Sequence, residues 1–287
     1  MDLKEHLRSL RNKALELRIT LLEMLSRGDF GYSGSCLSAM DLLVGLYYGL
    51  HNEGSIMQFD PAVPGSPSQD YFVLSKAQAA PALYTILADL GFINPEELNF
   101  FAQTGSLLQA HPHLKIPGIA LPSGMPGNGL GSAVGLAISL KAERARNMVY
   151  VLIGDAELCN GPVWESIMLA GHHKLDNLVV IVDKNTVQID GLVRNNMMMD
   201  PIPEKFESFG WKVIQVRAGH DFNEILGAYD KALSTPRFPI AIIAKTMKGK
   251  GVDFAEGKSF YHSNPLSQEE LEEALNLMRK QLHSHQQ

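Results

Sequence analysis

Cysteine is nearly missing from this chain of 287 residues: only Cys36 and Cys159 occur, far apart and in no Cys-x-x-Cys spacing. That excludes a disulfide framework and a zinc or dithiol motif, and it points to a reducing compartment. Long apolar runs are missing too. Nothing approaches the roughly 20 residues needed to cross a bilayer, and the stretch from Met1 to Leu10 is charged and amphipathic where a signal peptide would carry an apolar core. A soluble, cytoplasmic protein with no membrane partner is expected. No basic block exists either, since 25 Lys and Arg are spread among 31 Asp and Glu for a formal charge of −6. A dedicated nucleic-acid binder is therefore excluded. Neither a Gly-x-Gly-x-x-Gly nor a Walker lysine motif appears, which argues against a generic nucleotide-binding module.

What is present is an ordinary globular composition, 45% hydrophobic and 20% charged, long enough to bury a substantial core. No shift in composition marks an internal boundary. Residues 1–287 read as a single domain, with 267–287 as a C-terminal helical tail opened by a Ser-Gln-Glu-Glu capping box. Apolar residues from Leu3 to Leu25 recur at three- and four-residue steps, predicting a helix stopped at Gly28. Ser38 is the expected N-cap of a second helix through Tyr47. Residues 104–131, which hold ten Gly and Pro, predict a long loop system.

The centre then alternates. Strands are expected at 71–74, 148–153, 178–182, 211–216 and 240–244, and helices at 79–90, 134–145, 163–172, 203–209 and 222–233. Continuous apolar strands separated by amphipathic helices predict an α/β fold, a doubly wound, mostly parallel sheet with helices on both faces.

In such a sheet, ligands sit beyond the carboxyl ends of the strands. Two ends carry polar residues: Gly154-Asp155-Ala156-Glu157 and Asp183-Lys184-Asn185-Thr186-Val187. Asp155 and Asn185 are 30 residues apart, one crossover helix and one strand, so their side chains can face one ligand. A carboxylate, an amide oxygen and a nearby main-chain carbonyl are hard donors, suited to Mg²⁺ or Ca²⁺ clamping a diphosphate. Taken alone, each piece has an ordinary alternative: Gly-Asp as a turn and helix cap, and Asn185 as a turn residue.

The run Gly154-Asp155, Asn160-Gly161, Trp164-Glu165, Leu175-Asp176-Asn177-Leu178, Asp183-Lys184-Asn185 and Gln188-Ile189-Asp190-Gly191 resembles the thiamine-diphosphate signature of transketolases. Leu37-Ser38-Ala39-Met40-Asp41, Phe72-Val73-Leu74-Ser75-Lys76, Gly219-His220-Asp221 and Lys245-Thr246-Met247-Lys248-Gly249 extend the likeness over about residues 15–265. The chain is most similar to the N-terminal, diphosphate-binding subunit of split transketolases. The resemblance implies a cofactor, thiamine diphosphate with Mg²⁺ (or Ca²⁺), and metal ligands Asp155 and Asn185 through side chains and Val187 through its main-chain oxygen. It further implies cofactor contacts at Gly154, Asp155, Ala156, Glu157, Asn185, Ile189, Gly124 and Met125. His111 and His262 resemble two active-site histidines, and Gln78 stands where the family has a third; all three are candidate catalytic residues.

Departures cluster at chemistry. Gly31-Tyr32-Ser33-Gly34 replaces Gly-His-Pro-Gly, Lys76-Ala77-Gln78 replaces Lys-Gly-His, Ala156 replaces a glycine and Asn160 a glutamate. The loop Gly124-Met125-Pro126-Gly127-Asn128-Gly129 keeps the family's glycines but not its side chains. Glutamine only hydrogen-bonds, and tyrosine with its pKa near 10 is a poor proton carrier at neutral pH. The expectation is a transketolase-like transferase moving a two-carbon unit from a ketose or 2-keto acid donor to an aldehyde or ketone acceptor, with nonstandard substrates. Nothing after His262 matches the domain that holds the cofactor's pyrimidine, which implies a C-terminal transketolase-like partner subunit in an α₂β₂ assembly. The competing expectation is a non-catalytic interaction subunit that keeps the fold.

Overall fold

The computed structural model describes residues 2–28, 31–52, 54–188 and 191–286. The chain opens with helices α1 (Leu3–Arg27) and α2 (Ser33–Tyr48), a two-residue hairpin β1 (Leu50–His51) and β2 (Gly54–Ser55), strand β3 (Tyr71–Leu74) and helix α3 (Ala80–Asp89). Helix α4 (Asn128–Ala142), β4 (Val149–Gly154), α5 (Gly161–His172) and β5 (Leu178–Lys184) follow. A second hairpin, β6 (Val187–Gln188) and β7 (Gly191–Leu192), leads through α6 (Val193–Asn196) to α7 (Ile202–Ser208) and β8 (Lys212–Val216). The chain ends with α8 (Phe222–Leu233), β9 (Ile240–Lys245) and α9 (Gln268–Gln286).

Five strands form one sheet in the order β3-β4-β5-β9-β8, and every neighbouring pair is parallel. Because successive side chains point to opposite faces, each strand feeds two cores. Tyr150, Leu152, Val179 and Ile181 pack with α1, α2, α3, α8 and α9 on one face. Val149, Val151, Val180 and Val182 pack with α4, α5 and α7 on the other. The crossover β4–α5–β5 runs over the second face and β8–α8–β9 over the first, so the winding reverses between β5 and β9. That reversal opens a crevice at the carboxyl ends of these strands, where a parallel sheet binds ligands.

All five strands and the alternation of helices match expectation, and the tail does carry its capping box: the Glu270 N–H donates to Ser267 Oγ at 3.2 Å, and the Ser267 N–H to Glu270 Oε2 at 2.9 Å. Two starts differ. Helix α2 begins at Ser33, because Tyr32 takes a left-handed φ of 67° as its N-cap, which puts Ser38 inside the helix. Helix α4 begins at Asn128, inside the expected loop, after Gly127 turns the chain with φ 90°.

Candidate functional site

Asp155 begins a short 3₁₀ turn directly after β4, and Asn185 follows β5, its neighbour in the sheet. Thr186 has φ 64°, which bends the chain sharply between Asn185 and Val187. The bend is pinned from both sides: the Thr186 N–H donates to Asp155 Oδ2 at 2.8 Å, and the Val187 N–H donates to Asn185 Oδ1 at 3.1 Å. Asn185 Nδ2 donates to Ser38 Oγ at 3.2 Å, which fixes the amide and leaves its oxygen turned toward the bend. The 30-residue spacing therefore does bring Asp155 and Asn185 to one place, with Val187 beside them. Among the described residues no three His, Cys, Asp or Glu side chains group as a metal cluster. The oxygens at this bend are the Asp155 carboxylate, which accepts from the Thr186 and Ala156 N–H groups, and the Asn185 amide oxygen, which accepts from the Val187 N–H.

Burial governs the electrostatics. Asp155 is pushed up to about 6, first by burial and then by the charge of Asp183. On the α2 side, Lys76 Nζ donates to Asp183 Oδ2 at 2.6 Å, Ser38 Oγ at 3.0 Å and the Ser35 carbonyl at 3.0 Å, while the Thr246 hydroxyl donates to Asp183 Oδ1. Lys248 is 1% exposed, and its Nζ reaches the Val187 carbonyl at 3.3 Å, Ser35 Oγ at 3.4 Å and His262 Nδ1 at 2.8 Å. Burial, then the charge of Lys76, pushes Lys248 down to about 7. Burial and the neighbouring Lys248 and Lys76 push His262 down to about 4, so the ring is neutral near pH 7. With Nδ1 accepting from Lys248, Nε2 carries the proton. The edge of Tyr32 meets this ring at 5.9 Å between centroids.

The remaining candidates scatter. The Glu157 carboxylate accepts from Ser75 Oγ at 2.6 Å, the Gly127 N–H at 3.0 Å and the Gly154 N–H at 2.7 Å. It ties the ends of β3 and β4 to the start of α4, which is a scaffold role. The same bond takes up the Gly154 amide. Gly124 is a neighbour of His111, since a Cβ built there would lie 3.9 Å from His111 Cδ2, and both residues are exposed. Met125 is 69% exposed. Gln78 is half-buried after β3, and its carbonyl accepts from Cys36 Sγ at 3.3 Å. No hydrogen bond joins His111, Met125 or the Gln78 side chain to Asp155, Asn185 or Val187 among the described residues. Ile189 lies outside those residues. Lys76 and Lys248 are not among the expected site residues, although both lie in runs that resemble the family. A Cβ on Gly34 would stand 3.2 Å from Lys248 Cε and 3.1 Å from the Tyr261 carbonyl, so the lysine threads a gap that glycine keeps open.

Comparison with known proteins agrees with this geometry. Residues 11–283 match the family model described as "Transketolase, thiamine diphosphate binding domain". The chain is 35% identical to the 6-deoxy-6-sulfo-D-fructose transketolase subunit SqwG of Clostridium sp. (strain MSTE9), covering 91% of this chain and 92% of that one. It is 34% identical to an apulose-4-phosphate transketolase subunit of Phocaeicola vulgatus, over 90% and 89% of the two. Human transketolase is 35% identical over 98% of this chain, which spans 44% of that longer protein. Among solved structures, Campylobacter jejuni transketolase superposes with a TM-score of 0.87 at 29% identity, covering 99% of this chain and 43% of that one. With its parallel sheet, its strand-end donors and these matches, the chain belongs to the transketolase family, as a thiamine diphosphate binding domain.

Proposed function

We propose that this chain is the diphosphate-binding subunit of a split, transketolase-like transferase that moves a two-carbon unit between carbonyl compounds. The observation that carries the reading is the Thr186 bend. There Asp155 Oδ2 accepts the Thr186 N–H and Asn185 Oδ1 accepts the Val187 N–H, which supports reading the Asp155 carboxylate, the Asn185 amide oxygen and the Val187 carbonyl as one ligand set. Three hard oxygens fit Mg²⁺ or Ca²⁺, whose other positions would be filled by diphosphate and water. The buried ammonium of Lys248, destabilised where it stands, fits the diphosphate itself. When bound, thiamine diphosphate supplies the electron sink for the carbon–carbon bond that is broken and remade.

The chain's own groups do the rest. Asp155, Asn185 and Val187 hold the metal; Lys248 neutralises phosphate charge; the Ala156 N–H, donating to Asp155 Oδ1 at 3.0 Å, orients that carboxylate. His262, neutral and locked by Lys248, presents Nε2–H as a hydrogen-bond donor near Tyr32. His111 and Gln78 complete the proposed substrate side, with Gly124 and Met125 in the loop before α4. Tyr32 and Gln78 at two histidine positions remove proton carriers, which suits nonstandard substrates. The relatives named for a sulfo-ketose and for apulose-4-phosphate support that direction.

A partner chain is supported by the relatives' names and by the surface of α4. Gly131, Ser132, Gly135 and Ser139 are exposed on that helix, and a Cβ on Gly135 would meet nothing. Met168 and Leu169 of α5 are 55% and 44% exposed. A second backbone could pack closely here, in an α₂β₂ assembly. One sheet carrying both cores supports reading residues 1–287 as one unit. Both cysteines are free, and no helix among the described residues is long and apolar enough to cross a membrane, which supports a cytoplasmic protein. The test is to mix the chain with its candidate C-terminal partner, then measure mass and turnover with and without Mg²⁺ and thiamine diphosphate. A heteromer that gains stability with cofactor and turns over only when complete is expected. An enzymatic rate from this chain alone would contradict it.

A further inference from the structure

The carboxyl edge of the sheet has a second face. Ile243 belongs to the core packed against α5 and α7, so Lys245, two residues on, points to that side, away from α2. Lys184 is paired with Lys245 across the ladder, and Arg217 follows the end of β8, the strand next to β9. Three cations thus stand at the ends of three adjacent strands, which are spaced about 4.8 Å apart. They line a cavity of about 510 Å³, into which Arg194 of α6 also reaches. Lys184 is held by Asp200 at 2.5 Å. Arg194, Arg217 and Lys245 have no ion-pair or hydrogen-bond partner for their side-chain charges among the described residues. Among the described residues, the carboxylates facing this space are Asp200 and, at the wall shared with the Thr186 bend, Asp155.

Among the described residues, four cations against two carboxylates leave positive charge in excess in a concave, partly apolar space, the setting in which a tetrahedral oxyanion is held. Met199, Ile202 and Pro203 also line it. Among the described residues no aromatic ring lines the cavity, so none is offered there for stacking a nucleobase or a thiazole or pyrimidine ring. Gln215 and Thr186 supply polar groups suited to hydroxyls. Resting on the cofactor site proposed above, which it borders at Asp155 and Thr186, we propose that this cavity is a second binding site for a small aliphatic or sugar phosphate monoester. Its phosphate meets Lys245, Arg217 and Arg194, and its carbon body lies against Met199, Ile202 and Pro203.

The test titrates glycerol 3-phosphate and inorganic phosphate by calorimetry into the full chain and three variants. In Arg217→Ala/Lys245→Ala, glycerol 3-phosphate affinity falls at least tenfold. In Arg217→Lys/Lys245→Arg it stays within about threefold of wild type. Lys248→Ala, which alters the cofactor site on the other face, leaves it unchanged. Inorganic phosphate binds more weakly than the ester. Both alanine positions are exposed strand ends, and thermal melts of all variants establish that the fold is kept. Thiamine diphosphate with Mg²⁺, titrated into the same proteins with the partner chain present, separates the two sites. The double alanine variant keeps cofactor binding whatever becomes of the ester. Absence of ester binding in wild type, full affinity in the double alanine variant, loss in Lys248→Ala, or equal affinity for phosphate and ester would each overturn the proposal.

Discussion

His220 Nδ1 stands 2.6 Å from Asp41 Oδ2, and on its other side His220 Nε2 accepts the Met247 N–H at 2.7 Å. Only one neutral tautomer satisfies both contacts, with the proton on Nδ1. Arg18 of α1 grips the same carboxylate with two nitrogens, at 2.8 Å and 2.7 Å. The four residues form a chain from α1 to the segment that carries Lys248, so the position of a buried ammonium at the candidate site depends on an ion pair in the helical layer.

A pH dependence of stability follows. Burial raises the Asp41 pKa, but Arg18 and the His220 hydrogen bond outweigh it and hold the carboxyl down to about 2. The unfolded chain binds the proton first, so this stabilisation is complete above about pH 4 and is lost as the pH falls toward 2. Its size is roughly 2 kcal/mol. Urea unfolding of wild type and Asp41→Asn between pH 7 and pH 2.5 checks this. The variant is less stable at pH 7, and the gap between the two closes as the pH drops.

Two glycines of α4 separate internal packing from assembly. A Cβ on Gly129 would fall 2.7 Å from both Cα and Cβ of Ser75, so Gly129→Ala forces backbone apart and costs about 1–3 kcal/mol. A Cβ on Gly135 meets nothing within 4 Å. Gly135→Leu therefore leaves the isolated chain as stable or up to about 1 kcal/mol more stable, by helix propensity, yet weakens association with the C-terminal partner at least tenfold. Thermal melts and analytical ultracentrifugation of the two variants read these effects separately.

Tyr32 and Gln78 bear on the choice of substrate. One general acid–base contact typically contributes a factor of about 10² to 10⁴, so turnover of ordinary ketose phosphates by the assembled enzyme is expected to be at least about 100-fold below that of its best donor. A coupled assay across ketose phosphates, sulfo-ketoses and 2-keto acids measures this. Ketose phosphates as the fastest donors would contradict it.

The sheet was legible because runs such as Val149 to Ile153 and Val179 to Val182 are apolar throughout, as strands covered on both faces must be. The pairing of Asp155 with Asn185 was legible for the same reason, since a strand–helix–strand unit fixes where its ends fall. The start of α2 was not. Ser38 has the residue type of an N-cap, yet its hydroxyl lies 2.7 Å from Asp183 Oδ2 as a donor in the buried charge network. Propensity does not foresee a contact across 145 residues. Lys76 and Lys248 were hidden likewise, because lysine in a sequence reads as a solvated charge. For Glu157 the resemblance implies a cofactor contact, and sequence does not foresee that Ser75 Oγ and the Gly127 and Gly154 N–H groups all donate to its carboxylate.

The metal–diphosphate clamp proposed at the Thr186 bend is tested at its two side-chain ligands. Titration calorimetry of thiamine diphosphate into the assembled enzyme, with and without Mg²⁺, compares wild type with Asp155→Ala and Asn185→Ala. Removing one of so few protein ligands leaves diphosphate charge uncompensated. The account predicts Mg²⁺-dependent binding in wild type and at least a 100-fold loss in both variants, with circular dichroism unchanged; unaltered cofactor affinity in the two variants would contradict it.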